Sequence, residues 1–379
     1  MNIEKSENAM ILGNKYILYK KKKIGSGAFG EVFLGMNEQN QRLIAIKVEK
    51  LKNNQNPQLK YETSILKYLQ GSEGIPQCYF SQKLSDFYFL IMELLGSNLE
   101  NILSKMNGHF SIRTIIYLGI QMLNIIENLH KRHIIHRDIK PENFVVGLNK
   151  KNKNKLYIID FGLSKRFRNP KTGEHIPYKD GKNLVGTARY SSIYTHLGID
   201  QSRRDNLESM IYTLIYLFNG TLPWKGLKAK NKNEKYQKIL DKKINCTYEN
   251  LCGKLPKEFH HLLFYVRSLQ FEEKPDYDFM KEKFIGLLDF KFNVENIFYD
   301  WSEKNKNESS NECGNLSTAS DKKSTQDNIV NLKNVSINQN NKTEKFFENY
   351  VIHEILFFFL IFFYFFSKDV LKKYNILFK

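Results

Sequence analysis

Two short polar motifs constrain this chain more than any other feature. The first is the run His-Arg-Asp-Ile-Lys-Pro-Glu-Asn that ends at Asn143, and the second is the tripeptide Asp-Phe-Gly that begins at Asp160. Either motif alone recurs by chance, but both in this order and context do not. They restrict the chain to folds that bring Asp138, Asn143 and Asp160 to one place.

These three side chains suit phosphoryl transfer. That reaction needs a carboxylate to orient the attacking hydroxyl and oxygen ligands to hold metal ions on the nucleotide. Asp138 is the candidate for the first role, and Asn143 and Asp160 are the candidate metal ligands. The motifs resemble the catalytic loop and magnesium-binding segment of protein kinases, which implies ATP and Mg2+ as cofactors. The alternative is an accidental match on an unrelated fold.

The upstream sequence agrees with this resemblance. Residues 24–32, Ile-Gly-Ser-Gly-Ala-Phe-Gly-Glu-Val, predict a glycine-rich hairpin, where the backbone approaches phosphates that a Cβ would exclude. Lys47 follows in an alternating strand pattern and is placed to hold the α- and β-phosphates. Glu62, on the next helical stretch, is the predicted partner of Lys47. The alternative for Glu62 is a solvated helix glutamate.

An adenine pocket follows from the same resemblance, although each of its apolar residues could equally be ordinary core. Met92 is the predicted gatekeeper, and Glu93 to Leu95 form the predicted hinge. Lys140 joins Asp138 and Asn143 in the predicted catalytic set. The predicted nucleotide-binding residues are Ile24, Gly25, Ser26, Gly27, Gly30, Val32, Ala45, Lys47, Glu62, Met92, Glu93, Leu95, Val145, Ile159 and Asp160.

The order of patterns predicts an α+β, two-lobed protein kinase fold, with a small β-rich N-lobe and a larger helical C-lobe. Strand-like patterns run first, and amphipathic helical patterns dominate afterwards. We predict a leader over residues 1–16 and a kinase domain over residues 17–301, with the lobes meeting near residues 95–96. Residues 302–350 are polar and have few aromatic side chains, so we predict a disordered extension.

The last segment, residues 351–379, is Phe-rich. Its uninterrupted apolar run covers residues 355–366, which is short for a membrane-spanning helix of at least about 17 residues. Three interpretations remain open: a short membrane anchor, a helix docked on the kinase domain, or an erroneous end of the gene. We expect a cytoplasmic or nuclear protein, with membrane tethering as the alternative.

Charge and cysteine content add little about partners. The formal net charge is +18, but Lys far outnumbers Arg, and no base-stacking or groove-reading motif is present. We therefore expect no specific nucleic-acid partner. The 4 Cys residues show neither metal-ligand spacing nor a disulfide framework, which favours a reducing compartment. The N-terminus has no signal-peptide pattern.

A narrower resemblance emerges between residues 186 and 224. The block Gly-Thr-Ala-Arg-Tyr-Ser-Ser-Ile and the later Thr-His-Leu-Gly-Ile-Asp-Gln-Ser-Arg-Arg-Asp resemble the casein kinase 1 family. So do Leu-Pro-Trp, which ends at Trp224, and Lys-Pro-Asp-Tyr, which ends at Tyr277. The Ala-Pro-Glu motif of most kinases is absent from the sequence, as it is from that family.

This resemblance implies a monomeric Ser/Thr kinase that acts on acidic or already phosphorylated proteins. Lys140, two residues after Asp138, fits Ser/Thr specificity and can neutralise the transferring phosphoryl group. An anion site that reads a phosphate on the substrate is implied at Arg189, Gly226 and Lys235. Arg189 could instead form a structural pair with a carboxylate, and Lys235 lies in a Lys-rich stretch where any Lys looks basic.

Three positions depart from the family pattern. Asn206 replaces an acid that usually accepts hydrogen bonds from the catalytic-loop backbone; its amide oxygen still accepts, but without charge. Ile211 replaces a Gly, and Tyr194 replaces an Asn. We expect activity, reduced by these changes. The competing interpretation is a pseudokinase scaffold, but Lys47, Asp138 and Asp160 are all retained.

Overall fold

The N-terminal part is built from six antiparallel strands in the order β1-β2-β3-β4-β6-β5. The structure is a computed structural model that describes residues 9–27, 30–51, 57–288 and 299–302. Alternating side chains explain these strands, because successive residues face opposite sides of a sheet. The strands are β1 (Ala9–Leu12), β2 (Tyr16–Gly27), β3 (Gly30–Asn37), β4 (Arg42–Lys50), β5 (Cys78–Leu84) and β6 (Phe87–Glu93).

One face of this sheet forms a small core of its own. Ile44 and Ile46 of β4 are almost fully buried there, together with Leu18 of β2 and Ile91 of β6. The other set of β4 side chains, Ala45 and Lys47, faces the cavity described below. The strand pattern therefore assigns one row of residues to packing and the next to the site.

Helix α1 (Gln58–Tyr68) packs beside the sheet, and helices dominate after β6. The longest helix of the described part is α3 (Ile112–Lys131), whose apolar side chains recur at helical spacing and are buried against α5 (Arg203–Asn219). The later helices are α2 (Leu99–Lys105), α3 (Ile112–Lys131), α4 (Ile193–His196), α5 (Arg203–Asn219), α6 (Lys232–Asn245), α7 (Tyr248–Cys252), α8 (Lys257–Ser268) and α9 (Tyr277–Ile285).

Helix α5 is the central element of this part. All of its residues from Arg203 to Leu217 are buried. A capping box fixes its start, since Asp205 accepts a hydrogen bond from the backbone N–H of Ser202 at 2.7 Å. Ile211, the predicted departure from Gly, is fully buried in the helical core. An extra side chain at this position is thus accommodated by packing.

Two small two-stranded sheets hold the loops between α3 and α4. Strand β7 (Ile134–Ile135) pairs with β10 (Lys165–Arg166), and β8 (Phe144–Val146) pairs with β9 (Leu156–Ile158). These pairings bracket both polar motifs. They therefore fix the ends of the two loops that carry Asp138 and Asp160.

The predicted domain start at residue 17 differs from the structure. Strand β1 begins at Ala9 and pairs with β2, and Leu12 and Tyr16 are buried in the small core. A four-residue apolar strand followed by a turn at Gly13 explains this, since it closes the sheet with a hairpin. Residues 9–16 therefore belong to the sheet instead of a leader.

The C-terminal predictions fall mostly on residues that the structure does not describe. Residues 299–302 contact the start of α3, where Asp300 accepts hydrogen bonds from the backbone N–H and hydroxyl of Ser111 at 2.7 and 2.6 Å. The predicted polar extension from residue 303 onward, and the Phe-rich segment, lie outside the described residues. Within the described part, no helix is both long and apolar enough to cross a membrane.

Candidate active site

Lys47 lies at the centre of a buried ion-pair network. Its Nζ is 2.7 Å from Glu62 Oε2 on α1 and 3.1 Å from Asp160 Oδ1. Burial alone would lower the pKa of Lys47, but the two carboxylates raise it above its ordinary value. The lysine is therefore cationic at neutral pH and joins the sheet, α1 and the Asp-Phe-Gly segment.

Asp160 adopts an unusual backbone conformation. Its φ of 67° lies in the left-handed region, which non-glycine residues seldom occupy. Non-glycine residues with this backbone conformation are concentrated at functional sites. Burial would raise the pKa of Asp160, but Lys47 holds it below its ordinary value. The side chain is therefore ionised. The other carboxylate oxygen, Oδ2, has no hydrogen-bond partner among the described residues.

Helix α1 is docked on the segment that follows Asp160. Gln58 donates a hydrogen bond from Nε2 to the carbonyl of Gly162, and the hydroxyl of Tyr61 donates to the carbonyl of Ser164 at 2.8 Å. These contacts hold Glu62 toward Lys47. The arrangement places a lysine and two carboxylates together without further movement of α1.

Asp138 is held by three side chains and one backbone group. Lys140 Nζ lies 2.6 Å from Asp138 Oδ2, and both the backbone N–H and the hydroxyl of Thr187 donate to Oδ1 at 2.8 Å. Lys140 also lies 3.3 Å from the Thr187 hydroxyl. Asn143 Nδ2 donates to the Asp138 carbonyl at 2.8 Å. The carboxylate is thus oriented from both sides.

The side-chain amide of Asn143 has its nitrogen bound to Asp138 and its oxygen free to accept a ligand. Because Nδ2 donates to Asp138, Oδ1 must face away, and it accepts no hydrogen bond from a described residue. Oxygen ligands of this kind suit Mg2+, which usually takes one or two protein ligands together with phosphates and water. Asn143 Oδ1 and Asp160 Oδ2 could hold such an ion between them and a nucleotide.

The backbone before Asp138 is anchored from beneath. Arg137 has a φ of 69°; its backbone N–H donates to Asn206 Oδ1 at 3.1 Å, and its Nε donates to the Leu163 carbonyl at 2.6 Å. His136 Nε2 lies 3.1 Å from the carbonyl of Ile159. The predicted acceptor role of Asn206 therefore has a matching contact in the structure.

A cavity of about 820 Å³ opens between the sheet and the helical part. This volume lies within the range of small-molecule sites, and the cavity contains both polar motifs. Almost all predicted nucleotide-binding and catalytic residues line it: Ile24, Gly25, Ser26, Gly27, Val32, Ala45, Lys47, Glu62, Met92, Glu93, Leu95, Asp138, Lys140, Asn143, Val145, Ile159 and Asp160.

Gly30 is the exception in the predicted nucleotide-binding set. It does not line the cavity, and a Cβ added there would meet the carbonyl oxygen of Val48 at 2.3 Å. With a φ of 140°, it allows close approach between β3 and β4. Its place in the structure is therefore one of strand packing. Residues 28–29, between it and Gly27, lie outside the described part.

The predicted hinge divides into two kinds of residue. The backbone N–H of Glu93 already donates to the Gln77 carbonyl at 2.8 Å. The backbone of Leu95 makes no hydrogen bond to another described residue and borders the cavity. The N–H and C=O groups of Leu95, like those of Leu94, are therefore free for a ligand such as an adenine ring.

The three predicted anion-site residues lie on segments that contact one another. Trp224 Nε1, two residues before Gly226, donates to the backbone carbonyl of Arg189 at 2.7 Å. Lys235 lies on α6 beside Tyr236, whose ring centroid is 6.2 Å from that of His196 on α4. Gly226 and Lys235 are exposed, and Arg189 is half-buried. The Arg189 guanidinium lies 5.7 Å from the Tyr190 ring centroid and makes no ion pair with a described carboxylate.

Sequence reasoning assigned no role to several residues that shape this site. Thr187, within the block that carries the family resemblance, contacts Asp138 directly. Glu208 of α5 and Arg267 of α8 form a buried ion pair at 3.3 Å, and Tyr212 bridges them. Their signal in the sequence was weak, because the two residues are far apart in the chain and lie on separate helices.

Tyr194, the third departure from the family pattern, has a packing role. The Arg204 guanidinium lies 3.5 Å from the centroid of its ring, which is close enough for a cation–π contact. Arg204 also donates to the carbonyl of Leu269 at 2.8 Å. The aromatic ring therefore joins α4 to the start of α5 and to the loop after α8.

Comparison with known families agrees with this geometry. A family model described as the protein kinase domain matches residues 18–282, which is more than half of the chain. The predicted fold class is confirmed for this domain, which has a β-rich N-terminal region and a helical C-terminal part. The chain therefore belongs to the protein kinase family and carries a phosphotransferase domain.

Proposed function

We propose that the chain is a Ser/Thr protein kinase of casein kinase 1 type, which transfers the γ-phosphate of ATP to acidic or phosphate-primed proteins. The observation that carries this proposal is the triangle of Asp138, Lys140 and Thr187, with contacts of 2.6 to 3.3 Å. A carboxylate next to a cation and a hydroxyl is the arrangement that orients an aliphatic alcohol for in-line attack.

The residues of the cavity fit ATP and Mg2+. When bound, the metal neutralises charge on the β- and γ-phosphates. Lys47, held by Glu62, would bind the α- and β-phosphates, and Asn143 Oδ1 and Asp160 Oδ2 would hold the metal. Asp138 would accept a hydrogen bond from the substrate hydroxyl. Lys140 would stabilise charge on the transferring group.

The substrate preference rests on Arg189 and Lys235. An exposed lysine, and a half-buried guanidinium that makes no ion pair with any carboxylate of the described residues, favour an anionic group on the substrate. Gly226 has a φ of 78° and a Cβ there would meet nothing within 4 Å, so its backbone is open to a ligand. These features support a phosphate or carboxylate side chain near the acceptor residue.

The first experiment measures transfer from magnesium-ATP to casein by the full-length protein. The matched control is Asp138→Asn, which keeps shape and removes the charge. Phosphate should appear on Ser and Thr, and the variant should lose nearly all activity. Wild-type protein that binds ATP without transferring phosphate would favour the scaffold interpretation.

The second experiment compares two peptides that differ only by a phosphate three residues before the acceptor Ser. The phosphorylated peptide should have the higher kcat/KM, and Arg189→Ala combined with Lys235→Ala should reduce that preference. Equal kcat/KM for the two peptides with the wild type would reject the anion site. Monomeric state and a cytoplasmic or nuclear location remain predictions from the sequence.

A further inference from the structure

Lys243 is an unusual residue in the interior of the helical part. It lies in the last turn of α6 and is fully buried, whereas Lys242 beside it is exposed. Among the described residues, no Asp or Glu lies within ion-pair distance of its Nζ. Burying an amine without a carboxylate is costly unless hydrogen bonds compensate. Its partners are therefore informative.

Those partners belong to the segment that carries Arg189. Lys243 Nζ donates to the carbonyls of Ala188, at 3.1 Å, and Ser191. A lysine side chain has three N–H donors when protonated and two when neutral, so it can make both of these contacts in either state. His196 Nε2 lies 3.3 Å from the same Nζ and 3.0 Å from the Ala188 carbonyl.

Two aromatic rings complete the surroundings of the amine. The Nζ lies 4.8 Å from the centroid of Tyr212 and 5.0 Å from that of Trp224. Trp224 in turn binds the next carbonyl of the segment, that of Arg189, at 2.7 Å. The carbonyls of Ala188, Arg189 and Ser191 are thus all bound from the core.

Arg189 itself leaves this fixed backbone toward the surface. Its side chain is half-buried and lies beside the paired rings of Tyr190 and Tyr216, at 5.7 Å from each centroid. A guanidinium recognises an oxyanion through a rigid fork of donors. Its affinity for the anion therefore depends on where the Cα of the arginine is held. A loose backbone at residues 188–191 would spread the guanidinium over several positions.

We propose that Lys243 is a specificity-determining positioning residue, which fixes the backbone around Arg189 so that the guanidinium meets the anionic group of the substrate. Lys243 does not touch substrate, since it is fully buried. The inference rests on the proposed function, because it assigns Arg189 to the substrate anion. Helix α6 would then contribute two lysines to substrate recognition: the exposed Lys235, which contacts the anion, and the buried Lys243, which positions Arg189.

The test is a double-mutant cycle on full-length protein with the phosphorylated and unphosphorylated peptides. Lys243→Met keeps the aliphatic length and removes the donors. It should lower kcat/KM for the phosphorylated peptide about tenfold or more, and change that for the unphosphorylated peptide by less than about threefold. In an Arg189→Ala background the same substitution should leave the ratio of the two peptides unchanged.

Two further variants keep the test decisive. Lys242→Met, on the exposed side of α6, should leave the peptide ratio at the wild-type value. Trp224→Phe retains the ring but removes the hydrogen bond to Arg189, so it should also reduce the ratio. Trp224→Phe therefore tests the same positioning role if the Lys243→Met variant does not fold.

The outcomes separate the two proposals. A preference that is lost in Arg189→Ala but retained in both Lys243→Met and Trp224→Phe would overturn the positioning role alone. Equal losses for both peptides would likewise reduce Lys243 to a structural residue. A wild-type enzyme without any preference for the phosphorylated peptide would overturn the proposed anion site, and this inference with it.

Discussion

The side-chain oxygen of Asn206 accepts a hydrogen bond from the backbone N–H of Arg137 at 3.1 Å, so α5 fixes the residue that precedes Asp138. The amide nitrogen of Asn206 must then face His130 Nε2, at 3.2 Å. Since an amide nitrogen only donates, Nε2 is the acceptor and the imidazole proton lies on Nδ1. That nitrogen is 2.7 Å from the hydroxyl of Tyr277.

We predict that Asn206→Ala lowers kcat with little change in KM for ATP. The lost bond is neutral and worth about 0.5–1.5 kcal/mol, which corresponds to roughly a 2- to 10-fold loss of rate. Steady-state kinetics with ATP and casein varied separately would measure both parameters. A raised KM for ATP at unchanged kcat would contradict a role in placing Asp138.

Asn206→Asp tests the same contact from the opposite direction. A carboxylate accepts from both Arg137 and His130, so the imidazole proton should move from Nδ1 to Nε2. The 15N chemical shifts of His130 would report the change, with wild type showing a protonated Nδ1. A protonated Nε2 in the wild type would refute the assignment.

Lys47→Ala and Asp160→Ala should each lower kcat/KM by at least about a hundredfold. Lys47, which lies 3.1 Å from Asp160, is the proposed ligand of the α- and β-phosphates, and Asp160 is a proposed ligand of the metal ion. The measurement is phosphate transfer at saturating magnesium. Lys50→Ala, at the exposed end of the same strand, is the matched control and should keep wild-type activity. Near-normal rates in either site variant would remove that residue from the mechanism.

Thr187→Val should lower kcat, whereas Thr187→Ser should retain most of it. Valine keeps the shape but removes the hydroxyl that donates to Asp138 Oδ1 at 2.8 Å, and a hydrogen bond to a charged group is worth about 1.5–3 kcal/mol. A loss of roughly 10- to 100-fold in kcat follows for the valine variant. The hydrogen bond from the backbone N–H of residue 187 to Asp138 Oδ1 is retained in both variants, so only the hydroxyl contact differs between them. Equal rates for both would show that the backbone contact alone orients Asp138.

The strength of the sequence lay in contiguous motifs with a fixed chemical purpose. Lys47, Asp138 and Asp160 could be named because each stands in a short pattern, and the cavity gathers them. The alternation in β4 likewise predicted which of its residues face the cavity. Local pattern was sufficient wherever one element determines the direction of a side chain.

Contacts between distant elements were beyond that kind of reasoning. Lys243 looks like one more lysine of a basic helix, and only the packing of α6 against residues 188–191 shows that it is buried. Glu208 and Arg267 lie on separate helices and meet only in three dimensions. The strand at Ala9–Leu12 was missed because four apolar residues carry too little periodicity to be distinguished from a leader.

Glu208→Ala should strongly destabilise the domain. The Glu208 and Arg267 side chains are 2% and 6% exposed, and removal of one partner leaves a buried charge, at a cost of about 3–5 kcal/mol. Urea unfolding followed by circular dichroism measures the free energy of unfolding. Glu31→Ala breaks an exposed pair with Lys23 and should cost less than about 1 kcal/mol. Similar losses for both variants would argue that the buried pair contributes no more than a surface one.

Acid should destabilise the domain partly through His196. Burial, and then the nearby Lys243, lower the pKa of His196 from 6.5 to about 3. Between these two values the unfolded chain binds a proton that the native protein does not, so the free energy of unfolding rises with pH in this window. The free energy of unfolding falls as the pH drops below 6.5. Above pH 6.5, His196 does not contribute to the pH dependence of stability.

His196→Gln removes this titration and should make the loss of melting temperature between pH 7 and pH 5 shallower. One proton corresponds to a slope of at most about 1.4 kcal/mol per pH unit. Because burial also lowers the pKa of His130 and His136, some acid sensitivity should remain in the variant. The slopes are the quantity to compare, since the substitution also shifts the melting temperature itself. Identical slopes for wild type and variant would mean that His196 titrates in the folded protein as it does in the unfolded chain.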